Sequence, residues 1–236
     1  MEGQAKLFLP SWQAVGEVMP FQVVHSQRSE SCADPGALKI FDRLARATRF
    51  APGEEIFAQE SGATNYYRVV SGVVRCTHLF PDGARQVSEF YFPGDMFGLE
   101  IGTTHRHAAE ALTACEILVV KRRVLAALDD GARVERLIWE VTSQQLERAR
   151  DRMLVLARRS AYEKVAFFLM DIARRCEGPW ASLPMCRQDI ADYLGLTIET
   201  VSRMVTQLQH DGLVALEGSR RFMIAKPRRL AADLAA

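Results

Sequence analysis

The sequence predicts an α+β chain: a small N-terminal β-barrel or jelly roll, a long helix, and a C-terminal helical unit closed by a hairpin. Three observations predict it. Turn residues recur from Arg49 to about Lys121, at Pro52-Gly53, Ser61-Gly62, Ser71-Gly72, Pro81-Asp82-Gly83 and Pro93-Gly94-Asp95. Short β-type runs lie between them, a spacing of roughly ten residues that suits a small closed sheet. Val124 to Leu156 then has helical periodicity, and Met185 to Val214 reads as a helix, a tight turn and a second helix.

Taken in order, residues 1–36 scatter Gly, Pro, Ser and Gln without a sustained period and read as a flexible extension, pinned at most by Trp12 or Phe21. Gly36 to Thr48 looks like a short amphipathic helix. The barrel domain spans 37–123, with Tyr66–Val70, Val73–Cys76 and Gln86–Tyr91 as strands. Residues 124–158 form the long helix and 159–236 the C-terminal domain.

The long helix carries two apolar stripes. Val134, Leu137, Ile138 and Val141 suit packing on the chain's own barrel. Trp139, Thr142, Leu146, Ala149, Met153 and Leu156 follow a 3-4-3-4-3 spacing, the seam that a two-stranded coiled coil needs. A single packed helix shows one broad stripe, so the second argues for a parallel homodimer.

In the C-terminal domain, Tyr162 to Arg175 is a helix ended by Glu177-Gly178-Pro179. Cys186-Arg187-Gln188-Asp189 opens the next, whose apolar positions are Ile190, Ala191 and Leu194. Gly195 supplies the turn and Thr197 caps a helix with Val201, Val205 and Leu208 on one face. Glu199, Ser202 and Arg203 occupy the other face, residue types that suit base edges: Arg to guanine, Glu to cytosine, Ser to either strand. The run Leu213–Ile224, with Gly218-Ser219 at its centre, reads as a hairpin tipped by Arg220 and Arg221, hence the wing of a winged helix-turn-helix. An unspecialised helical hairpin with a charged face is the alternative.

Composition agrees with a nucleic-acid partner without requiring one. The net charge is +1, with 48% hydrophobic and 25% charged residues. Residues 158–236 hold 12 basic and 9 acidic side chains, against 18 and 20 in residues 1–157. No apolar run reaches membrane-span length and no signal peptide opens the chain, so a cytoplasmic location is expected. The five cysteines form no zinc spacing.

Barrel, long helix and winged helix-turn-helix together resemble the CRP/FNR family of bacterial transcription regulators, over residues from about 37 to 229. The most specific part is Leu194-Gly195-Leu196-Thr197-Ile198-Glu199-Thr200-Val201-Ser202-Arg203, whose Glu-Thr-x-Ser-Arg pattern is similar to the FNR and FixK branch. Pro93-Gly94-Asp95-Met96-Phe97-Gly98 and Ala114-Cys115-Glu116 resemble barrel motifs of the family. The resemblance implies a cyclic-nucleotide-binding-like roll and a homodimer that binds double-stranded DNA at TTGA…TCAA palindromes and acts on RNA polymerase, activating genes of low-oxygen or nitrogen metabolism. It implies base contacts from Ile198, Glu199, Ser202 and Arg203, and backbone contacts from Arg187, Thr197, Thr200, Arg220 and Arg221.

The family's effectors find little here. The nucleotide-binding branch uses a Gly-Glu pair and an Arg-Ser pair; this chain has Phe97-Gly98-Leu99-Glu100, with the Glu displaced by one, and His105-Arg106-His107-Ala108-Ala109. An iron–sulfur cluster needs several N-terminal cysteines and only Cys32 is there. Haem-binding relatives place Cys and His where Gly98 and Glu100 stand. No cofactor is expected. His105-x-His107-x-x-Glu110 resembles the cupin metal motif one residue short, which would make the roll an enzyme, and Cys76-x-His78 puts two potential ligands on one strand face. Neither pattern earns a metal assignment. A ligand-gated sensor using another barrel pocket is the alternative within the family.

Two further features bear on control. Cys186 opens the first helix of the DNA-reading pair, where a helix N-terminus and the adjacent Arg187 favour a thiolate and oxidation would weaken DNA binding. The chain ends Leu234-Ala235-Ala236, similar to the bacterial tag that delivers proteins to ATP-dependent proteases.

Overall fold

The computed structural model describes residues 35–128, 131–158 and 160–235. The expectation for the N-terminal extension, with Trp12 and Phe21, therefore lies outside the described residues except at its last two positions. Helix α1 (Pro35–Leu44) opens with proline, whose fixed φ suits a first helical turn, and buries Ala37 and Phe41. It ends earlier than its periodicity suggests, because Arg46–Phe50 is already the first strand, β1.

The roll continues through β2 (Glu55–Phe57), β3 (Asn65–Ser71), β4 (Val74–Leu79), β5 (Arg85–Tyr91), β6 (Met96–Phe97), β7 (Ala108–Ala111) and β8 (Cys115–Lys121). They form two four-stranded antiparallel sheets, in the orders β1-β8-β3-β6 and β2-β7-β4-β5. Alternate residues turn inward, so Val69, Val74, Ala109, Ala111 and Ile117 meet between the sheets with Phe57, Tyr67 and Phe97. The expected strands thus appear, with ends shifted by no more than three residues.

The expected helix from Val124 divides. Helix α2 (Arg122–Ala126) is separate from α3 (Gly131–Arg158). Helix α2 closes at its C-cap Ala127, and Leu128 after it is not helical. Val134, Leu137 and Val141 of α3 are buried against Phe41, Met96, Leu99, Val120 and Leu125, with Ile138 at their margin, as the inner stripe predicts. Of the outer stripe, Trp139, Leu146 and Met153 are 73%, 51% and 68% exposed, an apolar face without cover. Thr142 and Ala149 between them are partly buried. Leu156 departs from the seam: it packs on the C-terminal core, because α3 there meets the second domain.

That domain holds α4 (Ala161–Arg175), β9 (Trp180–Ser182), α5 (Arg187–Leu194), α6 (Ile198–His210), β10 (Val214–Glu217), β11 (Arg221–Ile224) and α7 (Pro227–Ala235). A capping box starts α4: the Glu163 amide donates to Ser160 Oγ (3.3 Å), and the Ser160 amide donates to Glu163 Oε2 (2.8 Å). The wing is three-stranded, in the order β10-β11-β9, since Trp180–Ser182 pairs with β11. The terminal segment is helix α7, and Leu230, Ala231 and Leu234 are buried in the domain core. Leu234 of the Leu234-Ala235-Ala236 end is thus packed in the core, and Ala236 lies outside the described residues. No helix among the described residues is long and apolar enough to cross a membrane.

Candidate nucleic-acid interface

Helix α5 buries Ile190, Ala191 and Leu194, and its C-cap Gly195 takes φ 63°, a left-handed conformation that costs a side chain roughly 1–2 kcal/mol. The Leu196 amide then donates to the Ala191 carbonyl (3.0 Å), which closes the turn. Thr197 Oγ1 accepts the Thr200 amide (3.2 Å) and starts α6, which buries Val201, Val205 and Leu208. Burial of that stripe turns Glu199, Ser202 and Arg203 to solvent. Ile198, at the first turn, is 38% exposed. Thr206, one turn further along the same face, was not legible as a site residue; it is exposed, and its hydroxyl donates to the Ser202 carbonyl (3.1 Å).

The expected backbone contacts divide. Thr197 is exposed, and Thr200 is partly buried with its hydroxyl 3.1 Å from Thr197 Oγ1, so both hydroxyls already serve the cap. Arg220 stands exposed at the wing tip beside Gly218-Ser219. Arg221 is spent differently: its guanidinium pairs with Glu217 and lies 5.5 Å from the Trp180 ring. Cross-strand pairing of Glu217 with Arg221 brings them together, so of the two wing arginines Arg220 is the one without a side-chain ion pair among the described residues. Arg187 is half-buried with Nη1 lacking a partner, and burial lowers its pKa below the guanidinium norm.

Asp189 was missed as a site residue, and it ties the reading head to the roll. It is 2% exposed. Its Oδ1 pairs with Arg75 of β4 and accepts from Arg85 of β5 (3.1 Å). Arg85 also donates to Asp192 Oδ2 (2.6 Å), and Arg75 to Glu110 Oε2 (2.7 Å). Asp189 Oδ2 accepts both the amide (3.1 Å) and the thiol (3.1 Å) of Cys186. Burial opposes the charge of Asp189, but the hydrogen bonds from Cys186 and the positive charge of Arg75 prevail and hold its pKa below the usual carboxylate range. The sequence offered no signal for the Arg75–Asp189, Arg85–Asp189 and Arg85–Asp192 pairs, each of which joins residues more than a hundred positions apart.

The same cluster corrects the environment expected for Cys186. The thiol is exposed, but its charged partner is the Asp189 carboxylate, placed one turn on by the capping geometry, and it donates its hydrogen there. Arg187 is not that partner.

Inside the roll, Glu100 lies 3.3 Å from His105 Nδ1 and 3.7 Å from Arg122. Arg122 also donates to the carbonyls of Gly98 (2.8 Å) and Gly102 (3.1 Å). His105 is buried and stacks on Phe57 at 3.7 Å; Tyr67 and Phe97 stack at 5.0 Å. Gly98 is required where it stands, because a Cβ there would come within 2.7 Å of the Tyr67 ring. The rings of Phe57, Tyr67 and Phe97 pack between the sheets, and Glu100 is engaged by His105 and Arg122. The cupin-like pattern also fails to assemble: His105 faces Phe57 and Glu100, His107 faces His78, and Glu110 faces Arg75. Cys76 is buried in the core of the roll, where burial raises its pKa well above the thiol norm. Among the described residues, no group of three His, Cys, Asp or Glu side chains is placed to hold a metal.

A double-sheet roll joined by a helix to a winged helix-turn-helix with an unengaged polar face defines a DNA-binding regulator. The family model for bacterial regulatory proteins of the crp family matches residues 183–214, and that for the cyclic nucleotide-binding domain matches residues 47–130. The nitrogen fixation regulation protein FixK of Azorhizobium caulinodans is 41% identical over 221 residues, 90% of this chain and 89% of its own. FixK of Rhizobium meliloti is 44% identical over 182 residues, 77% and 83% of the two chains. The solved structure of FixK2 from Bradyrhizobium japonicum superposes with a TM-score of 0.77 at 42% identity, covering 81% of this chain and 98% of that one. The chain belongs to the CRP/FNR family of transcription regulators, in its FixK branch. It is a regulator and not an enzyme.

Proposed function

We propose that this chain is a homodimeric activator that reads TTGA…TCAA palindromes, recruits RNA polymerase, and serves low-oxygen or nitrogen-linked gene control without a small-molecule effector. The observation that carries the reading is the exposed face of α6: Arg203 is assigned to guanine, Glu199 to the cytosine edge, and Ser202 and Ile198 to thymine. Arg220 is assigned to phosphate, with Arg221, Arg187, Thr197 and Thr200 as auxiliary backbone contacts that must first yield their present partners or cover. The dimer is supported by the uncovered row of Trp139, Leu146 and Met153, with Thr142 and Ala149 between. A parallel pair would set the two recognition helices about 34 Å apart, one helical turn of DNA. The ring-filled roll supports effector independence, and the names of the relatives support the nitrogen link.

Oxidation of Cys186 is the control assigned to the head. An oxidised, negatively charged sulfur would face the Asp189 carboxylate on one side and DNA phosphate on the other. The C-terminal Leu234-Ala235-Ala236 is a second handle, for an ATP-dependent protease, that requires α7 to unpack first. The test is binding of the purified chain to a TTGA…TCAA duplex without additives, in reducing and then oxidising buffer. Specific binding in reducing buffer and its loss in oxidising buffer, retained by Cys186→Ser, is the expected result. Absence of sequence preference refutes the operator assignment, and equal loss in Cys186→Ser refutes the redox assignment.

A further inference from the structure

Beside the reading head, an open cavity of about 470 Å³ lies between the roll, α3 and the turn at Gly195. Its walls include His78, His107, Phe80, Arg152, Lys164 and Tyr193. The two histidines are neighbours through the sheet. The last ladder pair between β4 and β7 is Thr77 with Ala108, so His78 and His107 follow as the next opposed positions. Directly opposed residues of an antiparallel pair share a face. Their ring centroids are 5.6 Å apart with the planes at 69°.

We propose that His78 and His107 form a binding site for a borderline divalent transition-metal ion such as Zn²⁺, Ni²⁺ or Cu²⁺. Imidazole nitrogens bind such ions at about 2.0–2.1 Å, and a tetrahedral angle between two of them sets the ring centroids about 5.2 Å apart. The observed separation needs only a small side-chain adjustment. The second argument is the hydrogen bonding. His78 Nδ1 lies 3.1 Å from the Arg106 carbonyl, which can only accept, so Nδ1 is the donor and Nε2 keeps its lone pair. A backbone carbonyl on the distal ring nitrogen is the usual orienting partner of a metal-bound histidine. Among the described residues, neither ring nitrogen of His107 has a hydrogen-bond partner.

The surroundings of His107 disfavour its charged form. Burial is the largest cause of its lowered pKa; His78, Arg106 and Arg152 push the same way, and Glu100 opposes them. Lys164, from α4, adds a further positive charge to the cavity. No carboxylate is among the lining residues, so the remaining positions on the ion are left to water, hydroxide or a small anion held near Lys164. Phe80 packs edge-on against His78 at 4.7 Å and restrains its ring. This site is independent of the DNA-reading assignment.

The test is calorimetric titration of the full chain with NiCl₂ and with ZnCl₂, and electron paramagnetic resonance with CuCl₂ alone. One ion per chain is expected, with nitrogen hyperfine structure from two imidazoles. His78→Gln and His107→Gln should each weaken binding at least tenfold and remove one imidazole from the spectrum. His210→Gln, on the exposed end of α6, should leave both unchanged. Circular dichroism melts of the metal-free variants establish that they fold. Unchanged affinity in both cavity variants, or a spectrum without imidazole nitrogen, overturns the proposal; so does binding that survives in them and disappears in Cys186→Ser.

Discussion

Asp189→Asn probes how the reading head is held. The carboxylate is almost wholly buried and shared between Arg75 and Arg85, with side-chain exposures of 3%, 10% and 31%. Removing one partner of a buried pair costs about 3–5 kcal/mol, because the other charge stays desolvated. Here Arg75 keeps Glu110 and Arg85 keeps Asp192, so the low end, about 3 kcal/mol, is expected. The asparagine oxygen can still accept the Cys186 amide, which leaves the helix cap in place and makes the loss electrostatic. A double-mutant cycle with Arg75→Gln isolates the pair, and urea unfolding followed by circular dichroism should give a coupling of about 2 kcal/mol. The pH dependence has a fixed sign. The folded-state pKa of Asp189 is depressed, so its contribution is full above the unfolded value of about 3.9 and disappears as pH falls through the folded value. The difference between the original protein and Asp189→Asn should therefore be constant near neutral pH and shrink in acid below about pH 4. A coupling under about 0.5 kcal/mol, or a difference that grows in acid, would refute the latch.

Three other outcomes follow from the same geometry. Arg203→Ala should cost about 1–3 kcal/mol and relax discrimination at one base pair, read by competition between operator variants. Arg220→Ala should weaken binding evenly across sequences and lower the salt slope by about 1, whereas Arg221→Ala, already paired with Glu217, should change that slope less. Leu146→Asp places a charge on the uncovered stripe of α3; sedimentation should show monomer, and operator affinity should collapse with it, while a persistent dimer excludes that seam.

How legible each part was depended on the range of the interaction that fixes it. The strand–turn alternation of the roll, the inner stripe of α3 and the helix-turn-helix were readable because each is written in neighbours a few residues apart: Val134, Leu137 and Val141, or Gly195 and Thr197. The division of the long helix hid inside an otherwise periodic run, and β9 hid because three residues carry no period. Helix α7 was masked by an alanine-rich composition that also suits a frayed end; burial of Leu230 and Leu234 decides for the helix.

By itself, then, the chain determined the main strands of the roll, the helix-turn-helix with the polar face of α6, and the family to which it belongs, since those depend on local spacing and on side-chain chemistry at one helix surface. Tertiary structure decided which of those groups are free. It committed Arg221 to Glu217, turned Leu156 inward, gave the Cys186 thiol a carboxylate neighbour, and set His78 opposite His107. Apart from the Cys186–Asp189 cap within α5, each of these joins residues from different strands, helices or domains. Hydrophobic and helical periodicity carry no information about such partners, because charge pairing and ligand geometry act across space after the elements have packed.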